Sequence, residues 1–234
     1  MKKSFQTNLD IREIPSYSIP EAAHYLRIPV QTLRSWIRGR RYPVKGGQRY
    51  FKPLVATPDH SPLLSFINLV EAHVLSAIRK DHQIPLESVR KALEYLGREY
   101  PSKHPLADYL FETDGIDLFL RKYGHLENIS KDGQLAMAEV LHAYLRRIER
   151  DPSGLPIKLY PFTRKRQPEE PKTVVIDPTL AFGRPVLAGT GIATHVIAER
   201  YKAGESIKEL AEDYGLSPSQ IEEAIRCELP LEAA

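Results

Sequence analysis

Several features that define large classes of protein are scarce or missing in this sequence. The 234 residues include one cysteine, Cys227, so an intramolecular disulfide framework is excluded and a thiolate metal site is not expected. No apolar run reaches the length of about 18 residues that a membrane span needs, and no apolar run follows the first two lysines. We therefore expect no membrane span and no secretory signal, and we predict a cytoplasmic protein.

The motifs of common enzyme classes are missing as well. The eight histidines are scattered, and none belongs to an H-E-x-x-H motif or a Cys/His cluster. The glycine-rich segment GRPVLAGTGI lacks both the Gly-Lys-Ser/Thr end of a phosphate loop and the G-x-G-x-x-G spacing. No serine lies in a nucleophile elbow. These observations predict no metal, no cofactor and no enzymatic activity.

One sign of charge is absent from a long stretch near the N terminus. Between Glu21 and Asp59 there is no Asp or Glu, while eight Lys or Arg residues occur there. The whole chain has 33 Lys and Arg against 30 Asp and Glu, a net charge of +3, so the basic character is local. An ordinary solvated face mixes both signs of charge. The stretch therefore favours a phosphate-bearing partner over the alternative of a merely solvated basic helix.

The basic stretch coincides with the pattern of a winged helix-turn-helix. Residues 17–40 predict two short helices around a turn, and Ser18 with Glu21 fits a capping box at the start of the first helix. Gly46 and Gly47 tolerate positive φ, so they predict the turn of a β-hairpin wing. Two amphipathic helices follow, and we place the end of this unit near residue 100.

The second helix and the wing carry the candidate DNA contacts. A B-form major groove accepts a narrow rod bearing hydrogen-bond donors, with cations beside it for the phosphates. Polar residues of the second helix recur every three or four positions and therefore share one face, and the wing would reach the neighbouring backbone. The predicted DNA-binding residues are Gln31, Thr32, Arg34, Ser35, Arg38, Arg40, Arg41, Lys45 and Arg49.

The rest of the chain is divided by a polar, Pro-containing stretch. We predict one or two strands around Gly115, a helix from about Gly133 to Arg150, and a strand in LPIKLYPFT. The predicted fold class is mainly α with small β elements (α+β). It comprises a winged helix-turn-helix domain (1–100), a middle α/β segment (101–164), a linker (165–172) and a C-terminal trihelical, helix-turn-helix-like domain (173–234).

The C-terminal helices share the helix-turn-helix pattern but carry the opposite charge. Ser206 and Ser217 are predicted N-caps, the latter in a capping box with Gln220. From Glu205 to Glu228 there are seven acids and two bases, and such a surface repels phosphates. We therefore expect this unit to contact protein.

A turn region precedes these helices. Its glycines at 183, 189 and 191 are expected to allow tight turns in a small β unit. Asp177, which precedes Pro178, is interpreted as a turn or cap residue. Arg184 is expected either to pair with Asp177 and fix that turn or to contact a partner.

The N-terminal motif YSIPEAAHYLRIPVQTLRSW resembles the winged-helix motif of MerR-like regulators, although Arg27 replaces the usual turn glycine and Pro29 the usual Ser or Thr cap. The C-terminal part resembles a widespread domain of unknown function, and together the two resemble one subgroup of VapB-type antitoxins over nearly the whole length. Residues of the C-terminal motif, whose role is structural or partner-binding, are Asp177, Phe182, Gly183, Arg184, Pro185, Gly189 and Thr190.

The resemblance implies a homodimeric antitoxin that binds double-stranded operator DNA, represses its own operon and neutralises a PIN-domain ribonuclease toxin. Two alternatives stay open. One is a MerR-like regulator that senses a small organic effector through residues 101–234. The other is an interaction scaffold without a regulatory DNA site.

Overall fold

Helices dominate the molecule. The computed structural model describes residues 10–44, 46–58, 61–80, 86–164 and 169–229. Within these ranges the strands form three separate two-stranded antiparallel sheets. The predicted fold class, mainly α with small β elements, is confirmed. None of the helices in the described ranges has the length and apolar character needed to cross a bilayer.

The N-terminal part has the predicted order of two short helices, a hairpin and two longer helices. The Ser18 hydroxyl accepts a hydrogen bond from the Glu21 amide at 3.3 Å, and the Glu21 carboxylate accepts one from the Ser18 amide at 3.2 Å. The capping box is thus confirmed. The element bounds are α1 (Ile19–Tyr25), α2 (Val30–Arg38), β1 (Arg40–Val44), β2 (Gly47–Phe51), α3 (Phe66–Lys80) and α4 (Leu86–Glu99).

The middle of the chain is more helical than its sequence pattern indicates. The strands predicted around Gly115 are wrong, because residues 111–115 form a π-helical turn that continues into α5 (Ile116–Glu127). Gly115 has a helical φ of −70°, and a Cβ there would meet the Leu110 carbonyl at 3.1 Å and a Leu96 methyl at 3.3 Å. This glycine allows close packing and does not form a hairpin turn.

The helix that follows is shorter than predicted. Helix α6 (Lys131–Leu145) does not reach Arg150, because that residue belongs to β3 (Ile148–Arg150). Strand β3 pairs with β4 (Pro156–Leu159), which is the strand predicted in this segment. The segment predicted as one helix therefore contains most of α6 and the strand β3 that follows it.

The described part of the predicted linker is packed against the body of the protein. Residues 165–168 lie outside the described ranges. Glu170, within the predicted linker 165–172, is buried, and its backbone carbonyl accepts a 2.8 Å hydrogen bond from the buried Arg147. Its carboxylate accepts a 2.9 Å bond from the Arg164 amide.

A single apolar core extends from Tyr17 to Ile176 and includes side chains from α1 to α6. The predicted domain boundary at residue 100 lies inside this core, and the division into 1–100 and 101–164 stays a prediction. A second core holds the C-terminal trihelical unit together with the small sheet that precedes it. Those elements are β5 (Val174–Val175), β6 (Val186–Leu187), α7 (Thr194–Lys202), α8 (Ile207–Tyr214) and α9 (Pro218–Glu228).

A cluster of three ionisable side chains joins segments that lie far apart in the chain. His104 Nδ1 lies 2.9 Å from Glu71 Oε2 in α3, and its Nε2 lies 3.2 Å from Glu13 Oε1. Burial raises the pKa of Glu71. Burial alone would lower the pKa of His104, but the hydrogen bond and the charge of Glu71, together with the charge of Glu13, leave that pKa raised.

Candidate nucleic-acid interface

Helix α2 presents a polar face to solvent. Leu33 and Trp36 are buried on its inner side, and Gln31, Arg34 and Arg38 are exposed on its outer side. Arg34 Nη1 donates a 3.1 Å hydrogen bond to Gln31 Oε1, so these two side chains meet on the helix surface. The exposed face therefore presents hydrogen-bond donors, as helices that read a major groove do.

Two of the α2 residues predicted to contact DNA are only partly exposed. Thr32 and Ser35 are half-buried. The Ser35 hydroxyl donates a 2.7 Å hydrogen bond to the Thr32 carbonyl, so its proton is already used within the helix. Fewer α2 residues therefore face solvent than the five that were predicted to contact DNA.

The turn between α1 and α2 is formed by Arg27, which has a left-handed φ of 56°. Its amide donates to the His24 carbonyl at 3.1 Å. Its guanidinium donates to the Leu229 carbonyl at 3.3 Å and also to the Arg226 carbonyl, at the end of α9. This arginine of the basic stretch therefore faces the C-terminal domain.

The wing is the hairpin β1–β2, and the predicted hairpin is confirmed with a corrected turn. Val44 pairs with Gly47, so Gly47 belongs to the second strand and not to the turn. Gly46 has a φ of 100°, a value that favours glycine. Lys45, the predicted contact at the tip, lies outside the described residues.

The hairpin divides the predicted wing contacts between two faces. Cross-strand partners share a face, and Arg40 pairs with Phe51 while Tyr42 pairs with Arg49. Phe51 is buried, and Arg49 lines a groove with Glu87 of α4. Arg40 and Arg49 share this face of the hairpin. The face is therefore directed toward α4.

The opposite face of the hairpin adjoins α2. Arg41 pairs with Tyr50, and the Tyr50 hydroxyl donates a 2.8 Å hydrogen bond to the Arg38 carbonyl at the end of α2. Gly39 makes this approach possible, because it has a φ of 70° and a Cβ there would meet the Tyr50 hydroxyl at 2.7 Å. The structure thus brings Arg41 next to the exposed face of α2.

Arg90 of α4 supports the wing, and sequence reasoning missed it. Its guanidinium lies 4.5 Å from the centre of the Phe51 ring. It donates to the Pro53 carbonyl at 3.1 Å and also to the Lys52 carbonyl. Burial lowers the pKa of Arg90. The sequence offers no signal for this role, because Arg90 is one of several charged residues on an amphipathic helix.

The candidate DNA contacts keep their positive charge uncompensated. In the described parts of the chain, none of the exposed arginines of α2 and the wing forms a salt bridge with a carboxylate. A phosphate would therefore not have to displace an internal partner. These arginines are Arg34, Arg38, Arg40, Arg41 and Arg49.

The C-terminal motif forms a compact turn around a buried aspartate. The Asp177 carboxylate accepts hydrogen bonds from the Thr179 amide at 2.8 Å and the Thr179 hydroxyl at 2.6 Å. The Pro185 carbonyl accepts a 3.0 Å bond from the Thr194 amide at the start of α7. Gly189 has a φ of 78°, and the Thr190 amide donates to the Leu187 carbonyl at 3.1 Å, which closes a tight turn. These contacts stabilise the turn, and the prediction that the motif is structural or partner-binding stays open.

Part of the same motif docks on the helix-turn-helix. The Tyr17 hydroxyl donates a 2.9 Å hydrogen bond to the Gly183 carbonyl, and a Cβ on Gly183 would collide with that hydroxyl. Arg184 forms an ion pair with Glu21 of α1, where the sequence led us to expect Asp177 or a partner. The sequence offers no signal for either contact, because the partners lie far apart in the chain.

The acidic face of the C-terminal helices is less negative than its sequence indicates. Arg200 of α7 forms ion pairs with Glu205 and, at 2.5 Å, with Asp213. Glu223 is buried and forms an ion pair with Arg164 at 2.5 Å. Glu212 and Glu222 stay exposed on α8 and α9, each 3.9 Å from a basic side chain of its own helix. The predicted N-caps Ser206 and Ser217 are confirmed, and so is the capping box predicted at Ser217; Ser206 forms a capping box as well.

Comparison with known proteins agrees with this arrangement at the level of protein class. Residues 15–93 match the model of a family described as "Putative DNA-binding HTH domain". Residues 174–226 match a family described as "Protein of unknown function (DUF433)". The N-terminal part is thus similar to the helix-turn-helix domains of that family.

Individual relatives come from Mycobacterium tuberculosis. The chain is 27% identical over 236 residues to a protein named "Putative antitoxin VapB45", with 93% of this chain and 95% of the relative covered. It is 28% identical over 226 residues to the uncharacterized protein Rv2308, with 94% and 91% covered. The crystal structure of Rv2018 has the same fold, with a TM-score of 0.63, 24% identity, and coverage of 91% of this chain and 98% of that one.

Proposed function

We propose that this chain is a DNA-binding antitoxin that acts as a regulator and not as an enzyme. The observation that carries the proposal is the exposed face made by Arg34, Arg38 and Arg41, which lacks carboxylate partners among the described residues. The match of residues 15–93 to a DNA-binding family and the similarity to a protein named as an antitoxin support it.

In detail, the chain binds its operator as a homodimer, represses its own operon and neutralises a PIN-domain ribonuclease toxin. A two-fold dimer would present two copies of α2 to the DNA. The operator would then be an inverted repeat, with half-sites spaced by about 34 Å, which is one helical turn, or by a multiple of it. Arg34 would read a base, and Arg41 would contact a phosphate.

The DNA half of this proposal is tested by the variant Arg34→Ala, Arg38→Ala, Arg41→Ala. Promoter binding is measured by fluorescence anisotropy at several salt concentrations. We expect affinity to fall by about a hundredfold, roughly 3 kcal/mol, and the slope of log K against log salt to shrink by about one for each arginine that no longer neutralises a phosphate.

A matched control variant carries Arg121→Ala, Lys131→Ala and Lys208→Ala. These three side chains are exposed outside the helix-turn-helix, and both triple variants lower the net charge from +3 by three. The control should bind the promoter with nearly the wild-type slope. Equal reductions in affinity for the two variants would mean that only overall charge matters and would refute the interface.

The toxin half of the proposal is tested on the acidic helices. Glu212 and Glu222 are exposed on α8 and α9, and Glu212→Lys with Glu222→Lys should abolish capture and inhibition of the toxin encoded next to this gene. Promoter binding should persist. Asp132→Lys with Glu139→Lys, two exposed acids of α6, serves as the control. Full inhibition by the α8–α9 variant would remove these helices from the toxin contact.

A further inference from the structure

Phe182 is a large apolar residue that is exposed to solvent and has an unfavourable backbone conformation. Its side chain is 96% exposed. Its backbone has a left-handed φ of 55°, Ala181 before it has a φ of 44°, and Gly183 after it has a φ of 77°. Left-handed backbone is unfavourable for a bulky residue, so this turn holds a strained conformation that keeps an aromatic ring in water.

A groove of about 210 Å³ lies directly beside this ring. Its lining includes Ile11 and Ile14, which are 46% and 40% exposed, and the ring of Phe66 forms part of its wall. An exposed aromatic side chain and an apolar groove thus adjoin on one surface. We call Ile11, Ile14, Leu180 and Phe182, with the groove between them, the Phe182 surface.

The size of the Phe182 surface is that of a contact between proteins. Its four apolar side chains expose roughly 400 Å² together, which is in the size range of the largest apolar patch on a folded monomer, and such a patch is often functional. Two such surfaces facing each other would bury about 800 Å² of apolar area. With the polar groups at their edges they reach about 1,000 Å², which is the lower bound for a specific interface.

The charges around the Phe182 surface suit a second copy of the same chain. Arg184 forms an ion pair with Glu21 on one side, and Arg12 forms one with Asp10 at 2.8 Å on the other. Arg12 also pairs with Asp151 at 3.0 Å, so the cations at the rim are matched by carboxylates of the same copy. Two copies would therefore not meet with a surplus of positive charge here. By contrast, the exposed face of α2 is basic and that of α8 and α9 is acidic, so each of those faces would repel its own copy.

We propose that the Phe182 surface is the two-fold contact of a homodimer, in which Phe182 of each copy enters the groove beside Ile14 of the other. A two-fold contact requires a self-complementary patch, and a protruding ring next to an apolar groove satisfies that requirement. This inference rests on the homodimer of the proposed function and adds the surface that forms it.

The test joins two full-length variants by a chemical cross-link. Phe182→Cys in one copy and Ile14→Cys in a second copy of different mass are mixed and oxidised. The natural Cys227 does not interfere, because it is buried and burial raises its pKa to about 12. We expect a mixed dimer to form at least tenfold faster than in a mixture of Phe182→Cys with Leu135→Cys, an exposed position on α6.

Sedimentation of the wild type and of Phe182→Asp gives an independent result. The wild type should be a dimer and the variant a monomer with an unchanged circular dichroism spectrum, because a side chain so exposed contributes little to the fold. A monomeric wild type, a dimeric variant, or cross-linking no faster than in the Leu135→Cys mixture would each overturn the contact. A dimeric variant that no longer captures the toxin would assign the surface to the toxin.

The cross-linking and the sedimentation use neither DNA nor toxin, so their results separate the inference from the function on which it rests. If Phe182→Asp stays dimeric and still shows the arginine-dependent salt slope, the surface is wrong and the proposed function stands. If the dimer surface is found but the promoter is not bound through α2, the dimer stands and the proposed function fails.

Discussion

Three arginines near the N terminus show why charge alone does not reveal the task of a residue. Arg34 extends from α2 into solvent, Arg27 donates to carbonyls at the end of α9, and Arg90 lies over the ring of Phe51. The sequence presents all three as cations near a predicted helix-turn-helix. Only the contacts distinguish a side chain that is free to meet DNA from one that organises the protein.

Arg90 should hold the wing in place without touching DNA. Arg90→Ala removes the stacking on Phe51 and two hydrogen bonds to carbonyls after β2. We expect promoter affinity to fall about tenfold, which corresponds to 1.4 kcal/mol, because the wing must then be ordered during binding. The salt slope should stay near that of the wild type, since every phosphate keeps its cation in this variant.

Two further variants sharpen that measurement. Arg41→Ala should reduce the salt slope by about one, as expected for a phosphate contact. Lys91→Ala removes an exposed charge next to Arg90 and should change neither affinity nor slope appreciably. If Arg90→Ala reduced the slope as much as Arg41→Ala, Arg90 would be a phosphate contact and its proposed positioning role would be wrong.

At the scale of elements, prediction succeeded where local signals agreed. The position of α2 followed from the buried spacing of Leu33 and Trp36 and from Gly39 at its end. The prediction of strands around Gly115 was wrong. The Asp-Gly pair there has the composition of a turn, but the glycine allows close packing inside a helix. A local pattern cannot tell these two uses apart, because the space beside Gly115 is filled partly by the local Leu110 carbonyl and Phe111 ring and partly by Leu96 of α4, which is distant in the chain.

The candidate site was predictable in part for the same reason. Helical spacing identified Gln31, Arg34 and Arg38 as one face, and the structure exposes all three. The wing contacts were predicted as a single group, but strand alternation separates Arg41 from Arg49. That separation depends on the register of the hairpin, and a shift of one residue exchanges the two faces.

At the scale of the whole molecule, the helix-turn-helix and the C-terminal domain are held together by direct hydrogen bonds. Tyr17 donates to the Gly183 carbonyl, and Arg27 donates to the end of α9. The C-terminal domain therefore contacts the helix-turn-helix at its first helix and at its turn, on residues other than the exposed arginines of α2. These contacts connect the C-terminal domain directly to α1 and to the turn that precedes α2.

The cluster of His104, Glu71 and Glu13 makes the stability of this assembly depend on pH. The pKa values of His104 and Glu71 are both raised in the folded state, so the folded protein binds more protons than the unfolded one. The contribution of His104 is fully present below its ordinary pKa of 6.5 and is lost as the pH rises through its folded-state value. Urea unfolding should therefore give a free energy that falls as the pH increases above 6.5.

His104→Gln should flatten that dependence, because the substituted side chain does not titrate. It should also lower the free energy of unfolding at pH 6, where the charged imidazole otherwise faces two carboxylates. His125→Gln, an exposed position on α5, should retain the wild-type profile. A decline in the stability of His104→Gln with pH as steep as that of the wild type would contradict this prediction. The proton that is bound on folding would then lie on a group other than His104.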